Sequence, residues 1–402
     1  MSDLDSDGQP AAGLPLAGIR VLEFCHTVMG PTCGLMLADM GAEVIKVEPA
    51  PMGDRTRVLS GFVAGAFSYY NRNKKSIGLN LKTEEGRDIL YRLVKDADVV
   101  CENYGPGTAE RLGMGYEQLS KINPRLVFCA LKGFLPGPYE HRAALDEVAQ
   151  FMTGLAYMTG PPGQPLRAAS SVIDMLGGIF GAMGIMGALR QRETTGRGKK
   201  ITSSLFESSA FLVGQYMAGQ AVSGLEPLPL PVRRRGWAIY ETFDCQGGKK
   251  VFLGLTSNNH WKTFCDVFDR PDLKADTRYD TNEKRLEEYD VIRPIVQSVV
   301  IGYTVEEIID LLAPKGIPIG QVGKPSDMFE DPHLNASGGL LETLTTTGLK
   351  AKLPALPFSM DGKRLGIRLQ PPQLGEHTHE VMATIGLSRK DVDALIEKEV
   401  LR

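Results

Sequence analysis

One carboxylate in surroundings almost free of other charge is the group in this chain best placed to do chemistry. It is Asp174, in the run Ser170-Ser171-Val172-Ile173-Asp174-Met175-Leu176-Gly177-Gly178, and the next charged residue is Arg190. An isolated carboxylate can attack an activated carbonyl carbon or move a proton. It can also do no more than cap a helix start or complement its dipole, and the stretch taken alone favours that reading. Beyond it, Ile179, Phe180, Met183, Ile185, Met186 and Leu189 recur among Gly and Ala at helical spacing. A closely packed buried helix with Asp174 in its first turn is expected.

The elements that must position this carboxylate read as an α/β fold. Residues 19–25 form a short apolar, β-branched run, a helical pattern follows Pro31, and residues 42–48 form a second strand. Such a β-α-β unit predicts a parallel sheet with a right-handed crossover and ligands at the carboxyl ends of the strands. The loop after the first strand, Cys25-His26-Thr27-Val28-Met29-Gly30-Pro31, lacks GxGxxG, which disfavours a dinucleotide-dependent oxidoreductase. Further strands are expected at 76–81, 98–103, 126–131 and 200–205, and helices at 84–97 and 146–153. The turn Asn103-Tyr104-Gly105-Pro106-Gly107 leads into a helix carrying Arg111, whose first N–H groups can meet an anion. Three cations in Asn71-Arg72-Asn73-Lys74-Lys75 suit either an anion site or a solvated face.

At 402 residues the chain exceeds what one core usually serves. The reading gives a polar lead-in over 1–13, expected to be disordered, then a large domain over 14–218. A Gly/Pro/Arg linker over 219–236 holds Arg233-Arg234-Arg235. A smaller α+β domain at 237–325 comes next, with Trp237 and Tyr240 placed in its core, and a return segment spans 326–402. A net charge of -3 gives no sign of nucleic-acid binding. Six scattered cysteines without a CxxC pair point to reduced thiols and not to zinc, and His377 and His379 have no third ligand, so no metal is expected. The polar start and the lack of a continuous apolar run of about 18 residues lead us to expect a cytoplasmic protein without a membrane span.

Six stretches together resemble the family III CoA-transferases, the group of formyl-CoA, carnitine and dicarboxylate CoA-transferases. They are Pro15-Leu16-Ala17-Gly18-Ile19-Arg20-Val21-Leu22, Gly41-Ala42-Glu43-Val44-Ile45-Lys46-Val47-Glu48, Asn71-Arg72-Asn73-Lys74-Lys75-Ser76, Glu102-Asn103-Tyr104-Gly105-Pro106-Gly107, Thr195-Gly196-Arg197-Gly198 and Leu374-Gly375-Glu376-His377-Thr378. The resemblance implies a Rossmann-like large domain built from both chain ends, a smaller inserted domain and an interlocked homodimer. It implies Asp174 as nucleophile and CoA as a co-substrate with no resident cofactor. It places CoA against Val28, Lys75, Asn103, Tyr104, Thr108, Arg111 and Leu112. The partners it implies are acyl-CoA and small carboxylic acids.

The chemistry implied is attack of Asp174 on a donor thioester, giving an aspartyl anhydride and CoA thiolate. The thiolate then returns to give aspartyl-CoA, which an incoming acid opens through a second anhydride. Backbone N–H groups near Gly30 or at Gly177-Gly178 are expected to steady the oxyanion. Gly177 and Gly178 are read as room for the thioester, and the helix dipole as keeping Asp174 ionised. His26, Met29, Asp146 and Arg235 are expected to orient substrate or loops, with Asp146 inclined to cap its own helix.

Formyl-CoA-transferase-like members carry Gln at the position of Val28, Arg at that of Pro49 and a glycine run where this chain has Arg233-Arg234-Arg235-Gly236, which argues against formyl or oxalate specificity. An Arg cluster suits a second carboxylate on the acid, so a preference for dicarboxylic acids is expected. Two rival readings are an α-methylacyl-CoA racemase-like epimerase and a non-catalytic acyl-CoA-binding protein. The first needs a His directly before Asp146, where Leu145 stands, with His141 four residues earlier.

Overall fold

The structure is a computed structural model, and it describes residues 13–232 and 235–402. Six strands form an all-parallel sheet: β1 (Arg20–Phe24), β2 (Glu43–Glu48), β3 (Lys74–Gly78), β4 (Val99–Glu102), β5 (Val127–Lys132) and β6 (Lys200–Ser204). Their order is β3-β2-β1-β4-β5-β6, the doubly wound arrangement. The order in which strands are added reverses between β1 and β4, which pair in parallel, and ligands in such sheets sit at that switch point, beyond the strand carboxyl ends.

Both sheet faces are covered, so the strands read as continuous apolar runs. Val21, Val44, Val99 and Val127 face one core, shared with Cys33 and Leu37 of helix α1 (Met29–Asp39) and with Ile173, Ala182 and Ile185 of the Asp174 helix (Val172–Thr195). Leu22, Ile45, Val100 and Phe128 face the other, against Leu90 and Leu93 of helix Glu84–Lys95 and Val381 and Met382 of helix Thr378–Thr384. By length and composition the Asp174 helix could cross a membrane, but its buried positions belong to this core. It lies close to α1 because a side chain at Gly177 would meet Met29 Cε at 2.6 Å and one at Gly178 would strike the Met29 carbonyl and Thr32.

The chain divides into two compact units, one running to Val232 and resuming at Pro332–Arg402, the other spanning Arg233–Asp331. Helix Leu205–Ser223 runs into the stretch read as linker over 219–236, and the lead-in read as disordered lies outside the described residues except for Gly13. The smaller unit holds a three-stranded antiparallel sheet, β7 (Tyr240–Asp244), β8 (Lys250–Gly254) and β9 (Ile319–Gln321). Its core is built on Trp261, Phe264, Ile292 and Ile308. Trp237 and Tyr240 are not in that core: both are exposed and lie against each other, ring centroids 4.9 Å apart.

The return segment completes the sheet edge at β3. Gly78 and Arg402 exchange backbone hydrogen bonds at 3.2 and 3.1 Å. The Ser76 carbonyl accepts from His377 N–H at 3.0 Å, and Ser76 Oγ accepts from Gly375 N–H at 3.1 Å while donating to Glu48 at 2.6 Å. Asn73 holds a left-handed backbone (φ 61°), accepts from Arg368 N–H at 2.6 Å and donates to Asp39 at 2.8 Å.

Candidate active site

The Asp174 helix starts at Val172 without a side-chain cap from Ser171. Its cap comes from Asp146, the first residue of helix Asp146–Met152. Asp146 Oδ2 accepts from Ile173 N–H at 2.7 Å and from Asp174 N–H at 3.0 Å, and Oδ1 accepts from Gln150 Nε2. Gln150 in turn accepts from Ala168 N–H at 2.8 Å, fixing the segment that leads into the helix. Asp146 therefore caps its neighbour and not its own helix, which corrects the sequence expectation. A side chain 28 residues away satisfies donors that Asp174 was read as complementing.

That arrangement changes the electrostatics of Asp174. Burial raises its pKa first, and the charges of Asp146 and Glu147 raise it further, to about 7. The dipole does not keep it ionised at low pH, because Asp146 already occupies the positive helix end and adds a negative charge of its own. No hydrogen bond or ion pair holds the Asp174 carboxylate among the described residues. Tyr70 lies within electrostatic range, its hydroxyl pKa raised by burial, by Tyr69 and by Asp174.

Gly177 and Gly178 are spaces for α1, not for a thioester, and as interior helix residues they offer no free N–H. Met29 is buried against Gly177, one turn from Asp174. The Gly30 N–H lies in the first turn of α1, which has no side-chain cap, and Gly30 must be glycine because Cys25 and Asn103 crowd it.

A cleft of about 1140 Å³ opens at the carboxyl ends of β1, β2, β3 and β4. His26, Thr27, Tyr104, Thr108 and Leu112 line it, together with the 47–55 stretch, Val58 and residues 79–82. Asn103 joins the first and fourth loops: it accepts from His26 N–H at 2.9 Å and donates to the His26 carbonyl at 2.8 Å. The turn after β4 is held from below, where Lys132 Nζ donates to the Tyr104 carbonyl at 2.8 Å and meets Glu102 at 2.7 Å. Thr27 takes a left-handed backbone (φ 67°), a strained state for a β-branched residue, and its hydroxyl meets His26 Nδ1 at 2.8 Å. Burial lowers the His26 pKa; Asp54 opposes this, while Lys46 and Arg55 reinforce it.

Of the residues assigned to CoA, then, Tyr104, Thr108 and Leu112 line the cleft, with His26 beside them. Asn103 shapes the cleft from behind, and Val28 precedes α1. Arg111 folds back onto Thr108 Oγ1 at 2.7 Å. Asp174 is not among the lining residues, and Met29, which follows the lining residues His26 and Thr27 in the chain, lies against Gly177 one turn along the Asp174 helix.

Lys75 corrects the expectation of an anion site: it lies outside the cleft lining, paired with Glu43 at 2.7 Å and Glu380 at 2.6 Å. Its neighbours are also neutralised, Arg72 by Asp39 at 2.7 Å and Lys74 by Glu23 at 2.7 Å, both pairs buried. The cluster is a structural joint. Arg235 is engaged within the smaller unit, 3.2 Å from Glu241 and stacked 4.0 Å over the Tyr289 ring, while Arg233 and Arg234 lie outside the described residues. His141 is exposed beside Glu140 at 3.2 Å, so the donors that fill Asp146 are amides and not an imidazole.

Sequence reasoning missed the buried support of the 49–58 loop. Lys46 reaches Asp54 at 2.9 Å and the Cys25 carbonyl at 2.7 Å; burial would lower its pKa, but Asp54, Glu23 and Glu48 together raise it. Glu48 holds Arg57 at 2.6 Å and Asp54 N–H at 2.9 Å. The one signal available was the presence of charged residues inside an otherwise apolar strand.

Comparison with known proteins agrees with this geometry. The family model for CoA-transferase family III matches residues 16–378. The chain is 33% identical over 384 residues to a succinate–glutarate CoA-transferase of Agrobacterium fabrum, covering 92% of this chain and 96% of that protein. It is 35% identical over 337 residues to an acetyl-CoA:oxalate CoA-transferase of Acetobacter aceti, covering 82% and 86%. The crystal structure of a CaiB/BaiF family protein from Brucella suis superposes with a TM-score of 0.83 at 29% identity, over 92% of this chain and 99% of that one. With a doubly wound sheet, a cleft at its switch point and a match of this extent, the chain belongs to CoA-transferase family III and is a CoA-transferase.

Proposed function

We propose that this enzyme passes CoA from a donor acyl-CoA to a free carboxylic acid through covalent intermediates on Asp174. The observation that carries this reading is the Asp174 carboxylate itself: largely buried, raised in pKa, and without a donor or cation to hold it among the described residues. Such a group destabilises the fold and is kept where chemistry needs it. Ionised Asp174 attacks the thioester carbon; the C–S bond breaks, giving an aspartyl anhydride and CoA thiolate. The thiolate attacks the aspartyl carbonyl, releases the donor acid as carboxylate and leaves aspartyl-CoA. The acceptor carboxylate repeats the sequence in reverse, and Asp174 returns ionised. CoA held in the cleft between steps makes recombination effectively intramolecular. Asp146 serves as a positioning residue by fixing the helix start.

The acceptors proposed are dicarboxylic acids, supported by the succinate and glutarate in the name of the relative from Agrobacterium fabrum. The oxalate in the name of the relative from Acetobacter aceti runs against the expectation drawn from Val28 and Pro49 and keeps oxalate among the acids to be assayed. A homodimer is also proposed. Its support is the exposure of Phe151, Met152, Met183, Phe211, Met217 and Val222 on three helices that pack against one another, a concentration of exposed large apolar side chains that suits a protein contact.

The test is trapping. The protein is incubated with succinyl-CoA, treated with hydroxylamine or borohydride, and the peptide carrying Asp174 is weighed by mass spectrometry. A mass change at Asp174 and loss of CoA transfer in Asp174→Ala are expected. An unmodified peptide together with full activity of the variant refutes the mechanism.

A further inference from the structure

The 49–58 loop forms one wall of the cleft, and its charged residues divide into two sets. Asp54 and Arg57 turn inward. Asp54 Oδ2 meets Lys46 at 2.9 Å, its Oδ1 accepts from Thr56 N–H at 2.9 Å, and Arg57 meets Glu48 at 2.6 Å while donating to the Pro372 carbonyl at 2.9 Å. Arg57 also lies 3.7 Å over the Phe67 ring. The backbone is thus fixed on both sides of residue 55, with Lys46 and Glu48 themselves buried in β2.

Arg55 is the exception. It lines the cleft, is exposed, and has no hydrogen bond or ion pair among the described residues. The other cation in the lining is Lys82, whose ammonium is likewise unpaired. The two carboxylates in the lining, Glu48 and Asp54, are already neutralised by Arg57 and Lys46. The cleft is therefore positive within a chain of net charge -3. On the same loop Met52 and Val58 stand 84% and 83% exposed and also line the cleft. Apolar side chains held in water beside a free guanidinium suit a ligand with a flat apolar part next to an anion. Of the loop's two arginines Arg57 is engaged by Glu48 and the Pro372 carbonyl, so Arg55 is its one free guanidinium among the described residues.

We propose that Arg55 is a specificity-determining residue that binds a phosphate of the CoA nucleotide, with Met52 and Val58 against the adenine beside it. The inference rests on the reading that CoA occupies this cleft. A guanidinium suits phosphate because its planar donors can bind two oxygens at once. Rigid support from Lys46 and Glu48 lowers the ordering cost of that contact.

The test is calorimetric titration of the full-length protein with CoA and with dephospho-CoA, which lacks the 3′-phosphate, for wild type, Arg55→Gln and Arg55→Lys at two salt concentrations. Arg55→Gln is expected to weaken CoA binding by roughly 10- to 100-fold, the worth of one charge-assisted contact. Its salt dependence flattens, and Arg55→Lys recovers part of the affinity. A loss for CoA alone assigns the 3′-phosphate; a loss for both ligands assigns the diphosphate. Wild-type affinity in Arg55→Gln overturns the inference, as does a loss with unchanged salt dependence. A wild type that binds CoA but gives no trapped intermediate removes the proposed mechanism and leaves Arg55 to be judged by these titrations. A wild type that binds no CoA overturns both.

Discussion

Replacing Asp174 by Asn should make the protein more stable, increasingly so as pH rises. An unfolded Asp titrates near pH ~3.9. In the folded chain burial and the negative charges of Asp146 and Glu147 raise that pKa to about 7. Between those values the folded state holds a proton that the unfolded state has released. Stability is therefore fully present below the unfolded pKa, falls as pH rises through the window, and levels off above the folded pKa. At ~1.36 kcal/mol per pKa unit, the total is about 4 kcal/mol, of which roughly 2–3 kcal/mol falls between pH 5 and pH 8. Asn carries no charge at any pH and removes this slope. Urea unfolding of both proteins at one concentration and at pH 5, 6, 7 and 8 measures it. The variant's advantage should grow by roughly 2–3 kcal/mol across the series. A constant difference refutes the reasoning. A wild type that gains on Asn at high pH restores the dipole-stabilised, ionised Asp174 that the sequence suggested.

The cap and the buried joint give two further predictions. Asp146→Asn removes a charge that raises the Asp174 pKa, so the acidic limb of the kcat/KM profile for acyl-CoA should move to lower pH; an unmoved limb in a folded variant shows that Asp146 has no electrostatic effect on the reacting group. Lys74→Met leaves buried Glu23 with Lys46 alone, at 3.4 Å, and should cost about 3–5 kcal/mol in urea unfolding that added salt does not restore; a loss under about 1 kcal/mol shows that water replaces the ammonium.

Much of the large unit was legible because apolar runs buried on both faces cannot be mistaken for surface segments. Five of its strands lie within a residue or two of their expected limits. β3 begins two residues early, at Lys74, since a strand that opens with two lysines shows no hydropathy signal until those lysines meet Glu23 and Glu43 in three dimensions. Helix Leu205–Ser223 was hidden for the opposite reason: apolar residues such as Phe211, Leu212 and Val213 succeed one another without a polar face to set a period. At the site, Asp174 stood out by its isolation. What its neighbours do could not be read, because the cap from Asp146 and the pairing of Arg72 with Asp39 join residues distant in sequence. The roles of Gly177 and Gly178 depend on where α1 lies, which no local pattern records.

The stitch at Ser76 has a consequence for the order in which the protein is made. The cleft wall depends on Glu48, Glu48 is bonded by Ser76, and Ser76 is clasped by Gly375 and His377. Arg72 and Asn73 likewise donate to the carbonyls of Pro354 and Gly366. A ribosome adding ~5–20 residues per second needs roughly 4–14 s to make the segment after Pro332. Throughout that interval the nascent sheet has an open β3 edge, with Arg72 and Asn73 still lacking these acceptors. The ligand-binding wall is therefore among the last parts of the molecule to become complete, although the residues that form it are among the first to be synthesised.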